Sequence, residues 1–221
     1  MSEKWEFDIA LKSLSQSKNI LEIGSALGSF MKACLHKGLS ATGIELNEAA
    51  VKIAKDRGLP VAHADIHQYV EEYPESSDAV CSFQVLEHIP DPKSFIESSL
   101  KALRKRGMLV LSVPNSESFL KYQNNLLDMP PHHMTRWSEA SFKALEKIFP
   151  IRLEKVFFEP LAAYHVSDYM HAYAQHFWSR SSTTKLFFNR YTLPIFTLLI
   201  SKKSIRRLFR GQTILALFRK L

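Results

Sequence analysis

Cysteine is nearly absent. The 221 residues contain two, Cys34 and Cys81, each inside an apolar stretch. They lack metal-ligand spacing and cannot form a disulfide framework, so a reduced cytoplasm is the expected setting. Long apolar runs are missing too. The run at 193–200 has eight residues, against the ~20 needed to cross a bilayer. Residues 1–8 are charged and have no apolar centre, which excludes a secretory signal there. There is no low-complexity segment and no internal repeat, which excludes a solenoid. Acidic residues are scarce at one end. Residues 161–221 hold ten Lys/Arg against Asp168 alone, a balance of +9, while the whole chain carries +7 and the first 160 residues −2. Any anionic partner is therefore a matter for the C-terminal quarter.

What is present is the composition of a folded globular protein, 46% apolar and 23% charged. Short apolar runs alternate with helical patterns. Strands are expected at 19–24, 40–46, 59–65, 76–83, 108–114 and 151–158. Helices are expected at 29–38, at 47–58 with Asn47 as N-cap, at 92–107 with Gly107 after it, and at 138–149 with Ser138 as N-cap. This alternation predicts a parallel sheet covered by helices on both faces.

The first strand runs into "LEIGSALGSF". Gly24 permits a sharp turn, and Gly28 permits close approach of the following helix, whose N–H groups then face a ligand. The spacing is not that of a dinucleotide loop, because position 26 is Ala, which disfavours a nicotinamide-dependent oxidoreductase. Glu45 and Asp65 end the second and third strands, where carboxylates meet a ribose and a base, or simply cap helices. The fourth strand continues into "SFQVLEHIPDP".

In order, "LEIGSALGSF", "GIEL", "HAD" and "DAVCSFQVLEHIPDP" resemble the motifs of class I S-adenosylmethionine-dependent methyltransferases. The nearest branch is the bacterial group resembling the ubiquinone-biosynthesis O-methyltransferases. The resemblance covers about residues 17–158 and resumes at the C-terminal end. It implies an α/β, Rossmann-like sheet of seven strands, mostly parallel, with an antiparallel last strand and a helical insertion before it. It also implies S-adenosylmethionine as cofactor. Glu22, Gly24, Ser25 and Gly28 would line its methionine end, with Gln84 nearby. Glu45, beside Leu46, would bind the ribose, and Asp65 with Ile66 the adenine. The family often has Gly where Ala26 stands; alanine fits if φ is negative there.

Methyl transfer from a sulfonium needs an acceptor atom held in line, and a hydroxyl acceptor also benefits from a base. "LEHIPDP" offers His88, which alternatively only bonds backbone. "MPPHHMTRWSEASF" offers His132, His133 and Arg136. His88 and His133 are the catalytic expectations. His132, Arg136 and Tyr164 are those for substrate, Arg136 alternatively pairing with Glu139. Trp137 reads as packing. No cluster has trusted metal spacing, so no metal is expected.

Three segments follow: a core of residues 1–159, a helical basic insertion at 160–210, and a closing strand at 211–221. The insertion leaves the carboxyl end of a parallel strand, so it is expected to cap the active site. Its Tyr164, Tyr169, Tyr173, Phe177 and Trp178 either form an apolar wall or pack the insertion down. Apolar residues of 193–210 beside Lys202, Lys203, Arg206, Arg207 and Arg210 suit an anionic membrane surface. Nucleic acid is disfavoured, because no binding module is recognisable. The expected partner is a small-molecule, glycan or lipid-linked acceptor, and the expected location is cytoplasmic, peripheral on the inner face of the membrane. The alternative is a catalytically silent cofactor-binding module acting through protein or membrane contacts.

Overall fold

The computed structural model describes residues 4–123, 126–178, 189 and 191–221, the side chains of Leu127 and Trp178 excepted. Seven strands form one sheet: β1 (Ile20–Ile23), β2 (Ala41–Glu45), β3 (Val61–His63), β4 (Ser77–Phe83), β5 (Leu103–Pro114), β6 (Ile151–Pro160) and β7 (Arg210–Lys220). Their order is β3-β2-β1-β4-β5-β7-β6. The first five pair in parallel, while β7 lies antiparallel between β5 and β6. The apolar "ILALF" of β7 is buried because both its edges and both its faces are covered.

Alternate residues of each strand feed two cores. Leu21, Val80, Leu109, Leu111 and Ala216 face helices α4 (Ile66–Glu72), α5 (Pro92–Ala102) and α6 (Glu139–Leu145). Ile20, Ala79, Cys81, Val110 and Leu215 face α1 (Trp5–Ser13), α2 (Ser29–His36) and α3 (Glu48–Asp56). Both cysteines are buried and free.

Asn47 and Ser138 cap their helices as expected, accepting from Ala50 N and Ser141 N. Three features depart from expectation. Helix α1 is additional; its Phe7, Ala10 and Leu11 pack on Phe30 and Phe83. Helix α4 is also additional, nucleated by a capping box between Asp65 and Gln68. Helix α5 stops at Ala102 rather than continuing to Gly107. Leu103 already pairs with Ser77, and residues 104–107 bulge before Met108 pairs with Ala79. Gly107 therefore serves the bulge: a Cβ there would lie 2.9 Å from Arg104 O and 3.1 Å from Asp78 O.

Between β6 and β7 lie α7 (Val166–Trp178), α8 (Thr192–Ser201) and the single turn α9 (Lys203–Arg206). Pro160 pairs with Arg210, so the segment leaves and re-enters the sheet at one point. It has a small core of its own, with Leu161, Val166, Met170 and Ala172 packed on Phe119 and Leu120. Tyr169 and Tyr173 belong to that core, against Phe119, Tyr122 and Phe209, and so pack the insertion down. Residues 183–188 and 190 of the expected apolar stretch, and the Trp178 side chain, lie outside the described residues. Among the described residues no helix is long and apolar enough to cross a membrane.

Candidate active site

The turn after β1 is built from strained and close-packed residues. Gly24 and Gly28 have φ of +73° and +77°. A Cβ on Gly24 would stand 2.5 Å from Val85 Cγ2, which places the turn directly against the exit of β4. Gly43 in β2 leaves room for the side chains of Ser25 and Met31, each of which a Cβ would meet at 2.5 Å. Ala26 does not meet the condition set for alanine, because its φ is +45°. The left-handed region costs a non-glycine residue roughly 1–2 kcal/mol, of which a glycine's greater freedom in the unfolded chain takes back about 0.4–1 kcal/mol. Ala26→Gly is therefore expected to stabilise the protein by about 0.5–1 kcal/mol, raising Tm by roughly 1–4 °C, a shift that calorimetry reads directly.

Glu45 does not cap a helix. Its Oε2 accepts from Ala26 N and its Oε1 from Asn47 N, both at 2.8 Å. The carboxylate thus ties the β1 turn to the β2 turn and keeps a further lone pair on each oxygen. Asp65 is an N-cap, accepting from Gln68 N at 2.8 Å through Oδ1. Ile66 is buried beneath it, while Leu46 is exposed.

Around the turn lie buried polar atoms without a protein partner, Glu22 Oε2, Ser25 Oγ and Ser82 Oγ. A polar ligand end placed there would satisfy groups that the fold leaves unpaired. Burial holds the Glu22 carboxyl well above the usual carboxylate range, reinforced by the nearby Glu45 charge and opposed by Lys4. A carboxyl raised on folding contributes stability that is full below the unfolded value and is lost as pH rises toward the folded one. The loss is up to about 1.4 kcal/mol per pH unit. Glu22→Gln is expected to flatten the fall in Tm from pH 5 to pH 8; an unchanged slope would assign that fall to another group.

Gln84 follows β4 with φ +58°, its N donating to Ser112 O at 2.8 Å and its Nε2 to Ser112 Oγ at 3.2 Å. It lines a cleft of ≈ 370 Å³ with Trp5, Glu6, Glu159, Tyr164 and Thr213. Tyr164 is 74% exposed and meets the His165 ring edge-on. Glu6 and Glu159 are buried, and desolvation raises both carboxyls. Sequence reasoning missed both; Glu6 arrives on the additional helix α1, and Glu159 is an acid in an otherwise apolar strand end.

Beyond Gln84, the turn Leu86–His88 receives the loop at 128–137. Met134 N and Thr135 N both donate to Glu87 O, at 2.7 and 3.1 Å. His88, His132 and His133 come together, with ring centroids 4.9–5.1 Å apart. His88 Nδ1 meets His132 O at 2.8 Å, so the backbone contact expected of it is present. His133 Nδ1 meets Asp128 Oδ1 at 3.0 Å. Arg136 pairs with Asp128 Oδ2 at 2.8 Å and not with Glu139, which is taken by Lys143. Asp128, buried and absent from the expected set, therefore orients two of its members. Trp137 is buried, as expected, and donates to Thr135 Oγ1. Burial pushes Glu87 up to about 7.

This sheet order with an antiparallel seventh strand, and a glycine turn after β1, is the Rossmann-like fold of class I S-adenosylmethionine-dependent methyltransferases. The chain belongs to the methyltransferase domain family, whose sequence model matches residues 6–147. A ubiquinone biosynthesis O-methyltransferase of Pseudomonas aeruginosa (strain LESB58) is 34% identical over 104 residues, 44% of this chain and 45% of that protein. The chain thus matches less than half the length of such curated relatives. Among solved structures, a SAM dependent methyltransferase from Archaeoglobus fulgidus has TM-score 0.60 at 18% identity, covering 97% of this chain and 94% of its own. The [4+2]-cyclase SpnF has TM-score 0.64 at 15% identity, covering 97% and 79%.

Proposed function

We propose that the chain transfers a methyl group from S-adenosylmethionine to a hydroxyl of a small-molecule, glycan or lipid-linked acceptor. The observation that carries this reading is the juxtaposition of the β1 turn, through Gly24 and Val85, with Gln84 in the lining of the ≈ 370 Å³ cleft. When bound, the cofactor would supply an activated methyl group to the acceptor oxygen, with S-adenosylhomocysteine as the leaving product. Glu45 with Leu46 takes the ribose, Asp65 with Ile66 the adenine, and Glu22, Gly24, Ser25 and Gly28 the methionine end. Gln84 fixes the boundary between cofactor and acceptor. Tyr164 lines the acceptor side, and the insertion caps it. The acceptor's proton goes to the histidine cluster, His133 being the base that a carboxylate orients, with His88 and His132 beside it. Arg136, 47% exposed at its side chain, turns its remaining N–H groups outward to an anionic acceptor.

The test is calorimetry with S-adenosylhomocysteine and with NADH, followed by transfer of a radiolabelled methyl group into aqueous and lipid fractions of the host. Binding of the first and label in either fraction are expected. No binding of S-adenosylhomocysteine would overturn the reading. Binding without label in any fraction would leave the catalytically silent module.

A surface contact is part of the same proposal. Ile195, Leu198, Leu199 and Leu208 are exposed beside exposed Lys202, Lys203 and Arg207. Arg206 and Arg210 serve the fold instead: Arg206 donates to Leu161 O at 2.9 Å, and Arg210 sits 3.7 Å from the Phe158 ring centroid. Flotation with vesicles containing anionic lipid, but not with neutral ones, is the expected result on a membrane's inner face.

A further inference from the structure

The three imidazoles at the exit of β4 present more than a base. One ring nitrogen from each of His88, His132 and His133 lies within 4.8 Å of those of the other two. Two of the rings have their tautomers set by partners that only accept. His132 O is a carbonyl, so His88 carries its proton on Nδ1. Asp128 is a carboxylate, so His133 also carries its proton on Nδ1. In both rings Nε2 is left with its lone pair. A carbonyl or carboxylate behind one ring nitrogen, with the other nitrogen bare, is the arrangement that orients histidines toward a metal ion. The third ring, His132, stacks on His88 and is exposed.

We propose that His88, His132 and His133 form a binding site for one borderline divalent metal ion, zinc being the type. Three nitrogen donors without a thiolate suit Zn²⁺, Co²⁺ or Ni²⁺ and not Mg²⁺ or Ca²⁺, which take oxygen. Tetrahedral Zn–N bonds of about 2.0–2.1 Å put neighbouring nitrogens roughly 3.3 Å apart, so the rings close by about 1.5 Å at most. Both segments are already pinned together, because Met134 N and Thr135 N bond Glu87 O. The ion would therefore meet a largely assembled site and would clamp the loop at 128–137 onto the exit of β4. Since His88 and His132 are exposed, the fourth position opens to solvent, where water or an anionic oxygen completes the sphere. A carboxyl group is nearby: Glu87 Oε1 lies 4.0 Å from His88 Nε2. An ion held by the cluster takes the lone pair that the base role of His133 uses, so the chain with the ion bound does not use His133 as base; the metal site rests on the cluster's own geometry and not on the methyl-transfer reading.

Tag-free protein, stripped with chelator, is titrated with Zn²⁺ by calorimetry, and Co²⁺ is followed by its visible d–d bands. Saturation at one equivalent is expected, with nitrogen-ligated bands. His132→Ala and His133→Ala should each weaken binding by at least about tenfold, and Asp128→Asn by about 10–100-fold, with circular dichroism unchanged. Absence of saturable uptake at micromolar ion would overturn the proposal. So would affinity retained by the His132→Ala/His133→Ala double variant, which places the ion elsewhere. Loss of S-adenosylhomocysteine binding with zinc uptake intact would sink the cofactor reading alone.

Discussion

Glu45→Ala is expected to lower affinity for S-adenosylhomocysteine by at least about tenfold. A hydrogen bond to a charged group contributes roughly 1.5–3 kcal/mol, and tenfold in affinity is about 1.4 kcal/mol, so loss of one ribose hydroxyl contact is enough. The variant also frees Ala26 N and Asn47 N, which the carboxylate holds at 2.8 Å. Loop damage and ribose loss are separable with a cofactor analogue lacking both ribose hydroxyls. If the ribose is the partner, wild type and variant bind that analogue with similar affinity. If the tether alone matters, the variant binds both ligands worse by the same factor. Glu45→Gln keeps one acceptor and the side-chain shape, and should fall between. Titration calorimetry reads all three, and an unchanged affinity in Glu45→Ala sinks the ribose assignment.

The two roles of Glu45 also mark how far the sequence could be read. The ends of the first three strands were legible because each is an apolar run closed by a glycine or an acid, Gly24, Glu45 and Asp65, and the carboxyl edge follows from the parallel topology. The tether to Ala26 was not legible, because it depends on a positive φ that alanine rarely adopts. Helix α4 was legible in retrospect: Asp65 and Gln68 stand at capping-box spacing. The end of α5 was not, since nothing local stops a helix at Ala102. The pairing of Leu103 with Ser77 stops it, and that is a tertiary event. The aromatics of the insertion had two readings with one composition, and only their contacts with Phe119, Tyr122 and Phe209 separate Tyr169 and Tyr173 from the exposed Tyr164.

The histidine cluster is the clearest case of information that spacing does not hold. His88 and His132 are 44 residues apart and belong to different loops. Their meeting depends on two backbone bonds to a single carbonyl, Glu87 O. Asp128 matters because it is buried beside His133 and Arg136, not because of any motif. The expectation of no metal rested on sequence spacing, which cannot report a trio assembled from two loops.

Gly28→Ala is expected to destabilise the fold by about 1–4.6 kcal/mol, combining left-handed strain of roughly 1–2 kcal/mol with overpacking of about 1–3 kcal/mol, less the roughly 0.4–1 kcal/mol by which alanine restricts the unfolded chain. Gly28 has φ +77°, and its added Cβ would overlap Leu59 Cδ1. Leu59, 7% exposed, packs in the core beside Val51 and Ala54 and also lines a cavity of ≈ 670 Å³ with Gly28, so how far its side chain turns aside sets the size of the overpacking. Denaturant unfolding of Gly28→Ala, Leu59→Ala and the double variant closes a thermodynamic cycle. If the overlap is the cause, the double variant is more stable than the sum of the singles by over about 1 kcal/mol, since Leu59→Ala removes the obstructing group. Additivity within about 0.5 kcal/mol would assign the whole effect to φ. The two causes have different consequences for the ligand. Gly28 N-caps α2 and its carbonyl receives Lys32 N at 2.9 Å, so it sets where the α2 N–H groups point. Relief of the overlap restores the position of α2 but not the backbone angle at its start. The double variant should therefore regain stability while keeping most of the loss in S-adenosylhomocysteine affinity, because the angle and not the packing aims those donors.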